Sequence, residues 1–225
     1  MSKTRVIEAV KALDLTEIKR ILKDKPALLR LWDDRRRNLL HLACSVECDD
    51  FGLPEKAAVK VVAFLLDEGL DIEELGGAGP DSMPPIWFAV CRGRNKTLVK
   101  YMIDRGAKPT GLFAAGWWQD LDILKLLVKS GANMEEVVGV TPFLACWGWK
   151  KFDAAKTLAL LGANVTVQDK KGRTALHIGV EKEYDPDLLK WLVSHGADPS
   201  IPDRAGVTAW VKAARKRNKK WAFAL

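Results

Sequence analysis

One six-residue pattern recurs along this chain and limits what the chain can become. Thr141-Pro142-Phe143-Leu144-Ala145-Cys146, Thr174-Ala175-Leu176-His177-Ile178-Gly179 and Thr208-Ala209-Trp210-Val211-Lys212-Ala213 share an opening threonine and apolar residues after it. Asn38-Leu39-Leu40-His41-Leu42-Ala43 and Pro84-Pro85-Ile86-Trp87-Phe88-Ala89 are looser copies, and Thr110-Gly111-Leu112-Phe113-Ala114-Ala115 falls in the same register. The copies begin at 38, 84, 110, 141, 174 and 208, and the last three intervals lie near 33. A second signature follows the first five: Gly69-Leu70-Asp71, Gly106-Ala107-Lys108, Gly131-Ala132-Asn133, Gly162-Ala163-Asn164 and Gly196-Ala197-Asp198. Each glycine closes an amphipathic run such as Ile123-Leu124-Lys125-Leu126-Leu127-Val128. Glycine there suits a helix C-terminus, where the chain turns left-handed without steric cost. The unit reads as a short helix, a tight turn, a second helix ended by glycine, and an extended link. A unit of that size cannot cover its own apolar face and has to stack on its neighbours.

These motifs resemble the ankyrin repeat, with its Thr-Pro-Leu-His-x-Ala opening and its Leu-Leu-x-x-Gly-Ala-Asp/Asn close. The resemblance runs over roughly residues 4 to 221. It implies an all-α solenoid of stacked helix-turn-helix units joined by short hairpin-like or extended loops. The expected division is one domain over 1–225, with repeats at 4–37, 38–83, 84–109, 110–140, 141–173 and 174–207 and a polar-sided cap helix at 208–225. The degenerate first repeat is expected to place helices near Arg5–Leu13 and Thr16–Lys23. The resemblance also makes the opening threonine an N-cap and sets Pro142 at the first helical position, where its missing N–H is harmless. It makes His41 and His177 structural, bonded to neighbouring turns. Small residues at Ala43, Ala89, Ala115, Cys146, Gly179 and Ala213 let paired helices approach closely.

Departures from the repeat are where individual function is expected. The second repeat carries an acidic insertion near residues 46–56, with Glu47, Asp49, Asp50 and Glu55, between its two helices. Gly106 and Thr110 are so close that the extended finger there is nearly absent. The link after Gly69 is long, and Gly76-Gly77-Ala78-Gly79-Pro80 makes it flexible. Tryptophan is abundant, with nine copies. Trp87, Trp117, Trp118, Trp147 and Trp149 fall in first helices. In ankyrin proteins the ends of these helices line the concave binding face, so Trp117, Trp118 and Trp149 would make it aromatic, with Arg92, Arg94 and Lys150 at the rim. Two readings stand: these rings form an interface, for which tryptophan is favoured, or they fill the space left by the short finger. Trp147 sits where a small residue is usual and packs between repeats, Trp191 reads as core, and His195 reads as exposed.

Composition narrows the function. No apolar run reaches membrane-spanning length, and the first residues lack the apolar core of a secretory signal, so a cytoplasmic location is expected. Of the four cysteines, Cys44, Cys91 and Cys146 lie in apolar stretches, and Cys44 with Cys48 makes only half a zinc site. All four read as packing residues, with no metal and no cofactor. No phosphate loop, nucleophile elbow or paired histidine and nucleophile is present, so no enzyme is expected. The favoured function is a monomeric protein-interaction scaffold or adaptor that binds a protein or peptide on its Trp-rich concave face. The net charge of +7 gathers partly in Arg35-Arg36-Arg37 and partly in Lys212, Arg215, Lys216, Arg217, Lys219 and Lys220. The alternative is nucleic-acid or acidic-surface binding through that C-terminal segment, against its plainer use in solvating a cap helix.

Overall fold

A computed structural model of the chain describes residues 2–77, 82–217 and 219–225. It divides into two compact units, Met1–Ala132 and Asn133–Leu225. The first unit holds α1 (Ser2–Lys11), α2 (Leu15–Asp24), α3 (Leu39–Cys44), α4 (Glu55–Asp67), α5 (Pro85–Cys91), α6 (Lys96–Asp104), α7 (Leu112–Trp118) and α8 (Leu121–Lys129). The second holds α9 (Pro142–Gly148), α10 (Phe152–Leu160), α11 (Ala175–Glu181), α12 (Pro186–Ser194) and α13 (Ala209–Arg215). Short 3-10 turns cover Pro26–Arg30, Cys48–Phe51 and Lys219–Ala224. Among the described residues the β-structure is confined to isolated bridges such as Trp32–Asn38 and Pro202–Thr208. The fold is therefore all-α, as the repeats imply.

Local chemistry sets these boundaries. Thr141 and Thr208 accept at their hydroxyls from the N–H of Leu144 and Val211, at 3.4 and 3.2 Å, which satisfies an otherwise orphan helix donor. Gly106, Gly131, Gly162 and Gly196 take φ of 93 to 100°. Past each, an alanine N–H returns to a carbonyl inside the helix, as Ala107 does to Met102 at 2.9 Å and Ala197 to Leu192 at 3.0 Å.

The fingers repeat a further device, built on an aspartate. The Asp33 carboxylate accepts from the backbone N–H of Arg35 and Arg37 and from the Arg37 guanidinium, the last at 2.7 Å. Asp169 does the same with Lys171 and Arg173. Asp203 accepts from the N–H of Ala205 and Val207, and Lys212 takes the arginine's part at 2.8 Å. Such an aspartate closes the turn and neutralises it.

His41 and His177 are buried and tie successive repeats. His177 Nδ1 accepts from the Thr174 hydroxyl at 2.9 Å, and its Nε2–H donates to the Val207 carbonyl at 2.9 Å. His41 Nε2–H donates to the Glu74 carbonyl at 3.0 Å. Gly76 is required beside it, because a Cβ there would lie 2.4 Å from His41 Nε2. Gly76 also exchanges backbone bonds with Met83, and the Gly77 N–H donates to Arg36. The link expected to be flexible is thus fixed at Gly76 and Gly77, while 78–81 lie outside the described residues.

Trp147 is fully buried. Its indole N–H donates to the Ala175 carbonyl at 2.8 Å, and its ring meets Phe152 and Tyr184 edge-on. Gly179 leaves the room: a Cβ there would lie 2.9 Å from Leu189 Cδ1 and 3.6 Å from the Trp147 ring.

Three expectations need correction. The opener at Thr110 is displaced by one residue: α7 is entered through Gly111 at φ 108°. With its finger missing, the chain turns left-handed against Val90, and the buried Thr110 hydroxyl has no hydrogen-bond partner among the described residues. Trp191 is not core. It lies half-exposed, stacked on His195 at 3.9 Å with the Lys156 ammonium 5.4 Å from its ring, while Leu189 and Leu192 supply the buried side of α12. The segment 208–225 is not one cap helix. It is α13 followed by the 3-10 turn, whose Trp221 is buried and donates its indole N–H to the Tyr184 carbonyl at 2.7 Å.

Trp147→Ala should lower the unfolding free energy by about 3–5 kcal/mol, because it opens a cavity that the surrounding helices fill only partly. Urea unfolding of this variant beside Trp149→Ala checks it, and equal losses for the two would contradict the burial. A second expectation concerns acid. Burial outweighs the carbonyl contacts of His41 and pushes its imidazole down to about 4. As pH falls from 6.5, the unfolded chain takes up this proton first, so stability present at neutral pH is lost toward pH 4, by about 3 kcal/mol. Urea midpoints measured between pH 7 and pH 4 should show that slope in the native chain and a flatter one in His41→Gln.

Candidate functional site

In the first unit the ends of α5 and α7 bring four of the expected residues into one neighbourhood. The chain leaves α5 at Arg92 and turns through Arg94, which adopts φ 44°. It then enters α6 at Asn95, whose side chain caps Leu98 at 2.8 Å and donates to the Glu55 carbonyl at 3.0 Å. The Trp118 indole N–H donates to the Cys91 carbonyl at 3.0 Å, satisfying one acceptor at the open end of α5. The Arg94 guanidinium lies 5.3 Å from the Trp118 ring and donates to Glu47 at 3.0 Å. Glu47, Arg94 and Trp118 therefore form a chain of charge and ring that orients the indole.

The rings remain open to solvent. Trp117 is 48% exposed and Trp118 47%, so neither fills the interior in place of the missing finger. Arg92 is exposed as well and lines an open groove of about 340 Å³ together with Lys11, Arg37, Val46, Glu47, Asp50 and Phe51. Phe51 is 62% exposed. It sits in the 3-10 turn of the insertion, which is docked rather than loose: Glu47 holds Arg94, and the Glu55 carboxylate accepts from the hydroxyl and N–H of Thr97. Sequence reasoning took the insertion for its acids and missed Phe51 and Lys11. An aromatic residue inside an otherwise polar insertion was the available signal.

The remaining aromatic candidates belong to the second unit. Trp149 caps the C-terminus of α9 and is 40% exposed. Lys150 takes φ 61°, and its ammonium lies 5.7 Å from the Tyr184 ring. The C-terminal basic residues are largely engaged with their own unit. Lys212 pairs with Glu181 and Asp203, and Lys216 pairs with Glu183 at 2.8 Å. Lys219 donates to the Ala214 carbonyl, and Lys220 lies 4.4 Å from the Trp221 ring. Arg215 and Arg217 are exposed.

The cysteines are free thiols. Cys44 packs its sulfur 3.7 Å from Met102, and burial pushes the Cys146 thiol up to about 12, which removes thiolate reactivity at neutral pH. Among the described residues no helix is long and apolar enough to cross a membrane.

Comparison with known proteins agrees with this architecture. Residues 142–225 match the family model described as ankyrin repeats (3 copies). Human Rabankyrin-5 is 30% identical over 132 residues, which is 58% of this chain and 11% of that protein. The mouse Rabankyrin-5 is 28% identical over 141 residues, 62% of this chain and 12% of that protein. The chain thus spans about a tenth of the length of these relatives. The crystal structure of the ankyrin repeat domain of Bcl-3 superposes with a TM-score of 0.79 at 22% identity, over 98% of this chain and 96% of that one. That of the human ASB11 ankyrin repeat domain gives 0.72 at 21% identity, over 96% and 95%.

Arg94→Ala should cost less than about 1 kcal/mol, since the pair with Glu47 is exposed, yet it should change the tryptophan emission by uncovering Trp118. The comparison is with Trp118→Phe and with the double variant. An emission change that persists without Trp118 would show that Arg94 does not shield that ring.

Proposed function

Because this chain carries ankyrin repeats, which generally mediate protein–protein interaction, we propose that it is a non-catalytic cytoplasmic scaffold or adaptor, monomeric by itself. It binds a protein or peptide on the face formed by Trp117, Trp118, Arg92 and Arg94, and the exposed Trp149 and Lys150 are contacts of the second unit. The observation that carries the reading is the pair of half-exposed indoles beside the groove that Arg92 and Phe51 line. Trp118 is already oriented by the Cys91 carbonyl and Arg94. Ordered aromatic side chains bring large contact area at low entropic cost, and such residues dominate interface energetics. A groove that sets Lys11, Arg37 and Arg92 beside Glu47, Asp50 and the exposed Phe51 offers charge of both signs and an aromatic contact, which suits an extended peptide or a helix end. Among the described residues of this neighbourhood no nucleophile is paired with a base. The cysteine here, Cys91, has its thiol pushed up by burial, against the opposing influence of Arg92.

Capture of binding proteins from extracts of the native cells tests this. Trp117→Ala/Trp118→Ala should lose the specific partner, with each ring worth about 2 kcal/mol or more if it is a hot spot, while far-UV circular dichroism stays unchanged. Retention of the same partner at the same affinity would place the interface elsewhere.

A further inference from the structure

The second unit carries a charged surface that this reading does not use. Its two finger turns, residues 169–173 and 203–207, touch each other. The Arg204 N–H donates to the Lys171 carbonyl at 3.0 Å, and a Cβ on Gly172 would lie 2.7 Å from the Arg204 nitrogen. The backbones of the two turns are therefore held at a set spacing. Beside them opens a groove with Lys170, Lys171 and Arg204 at its rim and Arg173, Lys212, Glu181 and Asp203 beneath.

The carboxylates here are already held. Arg173 binds Asp169 and Glu181 at 2.7 Å each, and Lys212 binds Asp203 at 2.8 Å and Glu181 as well. The three rim cations are different. Among the described residues Lys170, Lys171 and Arg204 have no carboxylate partner, and all three are exposed. Lys170 and Arg204 stand at the same place in successive turns, one after Asp169 and one after Asp203. The result is a pre-set row of unpaired positive charge above a network of sheltered ion pairs.

We propose that this groove docks an acidic, extended segment of a partner protein. Side-chain carboxylates of the segment reach Lys170, Lys171 and Arg204, while its backbone N–H groups face the partly exposed Glu181 carboxylate. A peptide suits both layers, because it carries acceptors and donors. A phosphodiester backbone carries acceptors only and would meet the Glu181 carboxylate with like charge and no donor to offer it. The surface also differs from the C-terminal basic run, where Lys212, Lys216 and Lys219 are bonded within the unit.

Fluorescence anisotropy with a labelled peptide of alternating glutamate and serine tests the proposal on the full chain at low salt. Lys170→Gln/Lys171→Gln/Arg204→Gln should weaken binding at least tenfold. Arg215→Gln/Arg217→Gln/Lys219→Gln removes the same charge and should change it less than twofold. Trp117→Ala/Trp118→Ala should leave this affinity unchanged, so failure here is separable from failure of the tryptophan face. Circular dichroism checks that each variant folds. Equal weakening by the two charge variants would overturn the proposal, since diffuse charge would then suffice. So would absence of binding to the native chain. Tighter binding of a labelled single-stranded oligonucleotide, lost in the finger variant, would overturn it in favour of a nucleic acid.

Discussion

A pair of short helices cannot bury its own apolar face, and the rest of this molecule depends on how each pair is covered and held by the next. Burial alone is non-directional; direction comes from a few buried polar bonds that reach from one repeat to its neighbour. His41 reaches the Glu74 carbonyl, His177 reaches the Val207 carbonyl, and Trp147 reaches the Ala175 carbonyl. Each lies among side chains with almost no exposure, where an unmade bond is costly. The same constraint explains Gly76 and Gly179, which stand where an added carbon would strike His41 or Leu189. The fingers add a cheaper register: an aspartate folds its own turn and takes a cation four or more residues on, as Asp33 does with Arg37 and Asp203 with Lys212.

Where that pattern is interrupted, side chains become available. The fourth repeat loses its finger and enters α7 through Gly111. That helix ends on two adjacent tryptophans, followed by Gln119 in the left-handed region at φ 55°. Neither ring is drawn inside, and Trp118 instead closes the acceptor left at the end of α5. The insertion of the second repeat leans the other way, binding Arg94 and Thr97 through Glu47 and Glu55. Two irregularities of one unit therefore meet at Arg94, which serves the acid on one side and the indole on the other.

Sequence alone revealed features that repeat. Helix order and the glycine ends follow from period and local chemistry, the roles of Thr141, Pro142, His41 and His177 follow from the resemblance to a known repeat, and the structure agrees with each. Failures came where a position departs from its register. Thr110 has the opener's identity, but the short link moves the start of α7 to Gly111. Trp191 has the apolar character of a core residue, but its place on α12 points it toward His195 and Lys156. Phe51 and Lys11 come to line one groove through tertiary packing around the insertion, and no periodicity announces that.

Charge shows the same limit from another side. The sequence makes the C-terminal run look like the strongest basic feature, because its cations are adjacent in the chain. What matters for attraction at a distance is which of them lack a counter-charge in the fold. Lys212 and Lys216 are paired with acids contributed by the preceding repeat, so much of that run's charge is spent within the unit. Arg204 is far from the adjacent Lys170 and Lys171 in sequence, and the three look unremarkable there, yet the contact between the finger turns brings them together. Their positive charge is what a ligand would meet first. The distribution of unpaired charge, rather than its density along the chain, is the property that a repeat fold rearranges most.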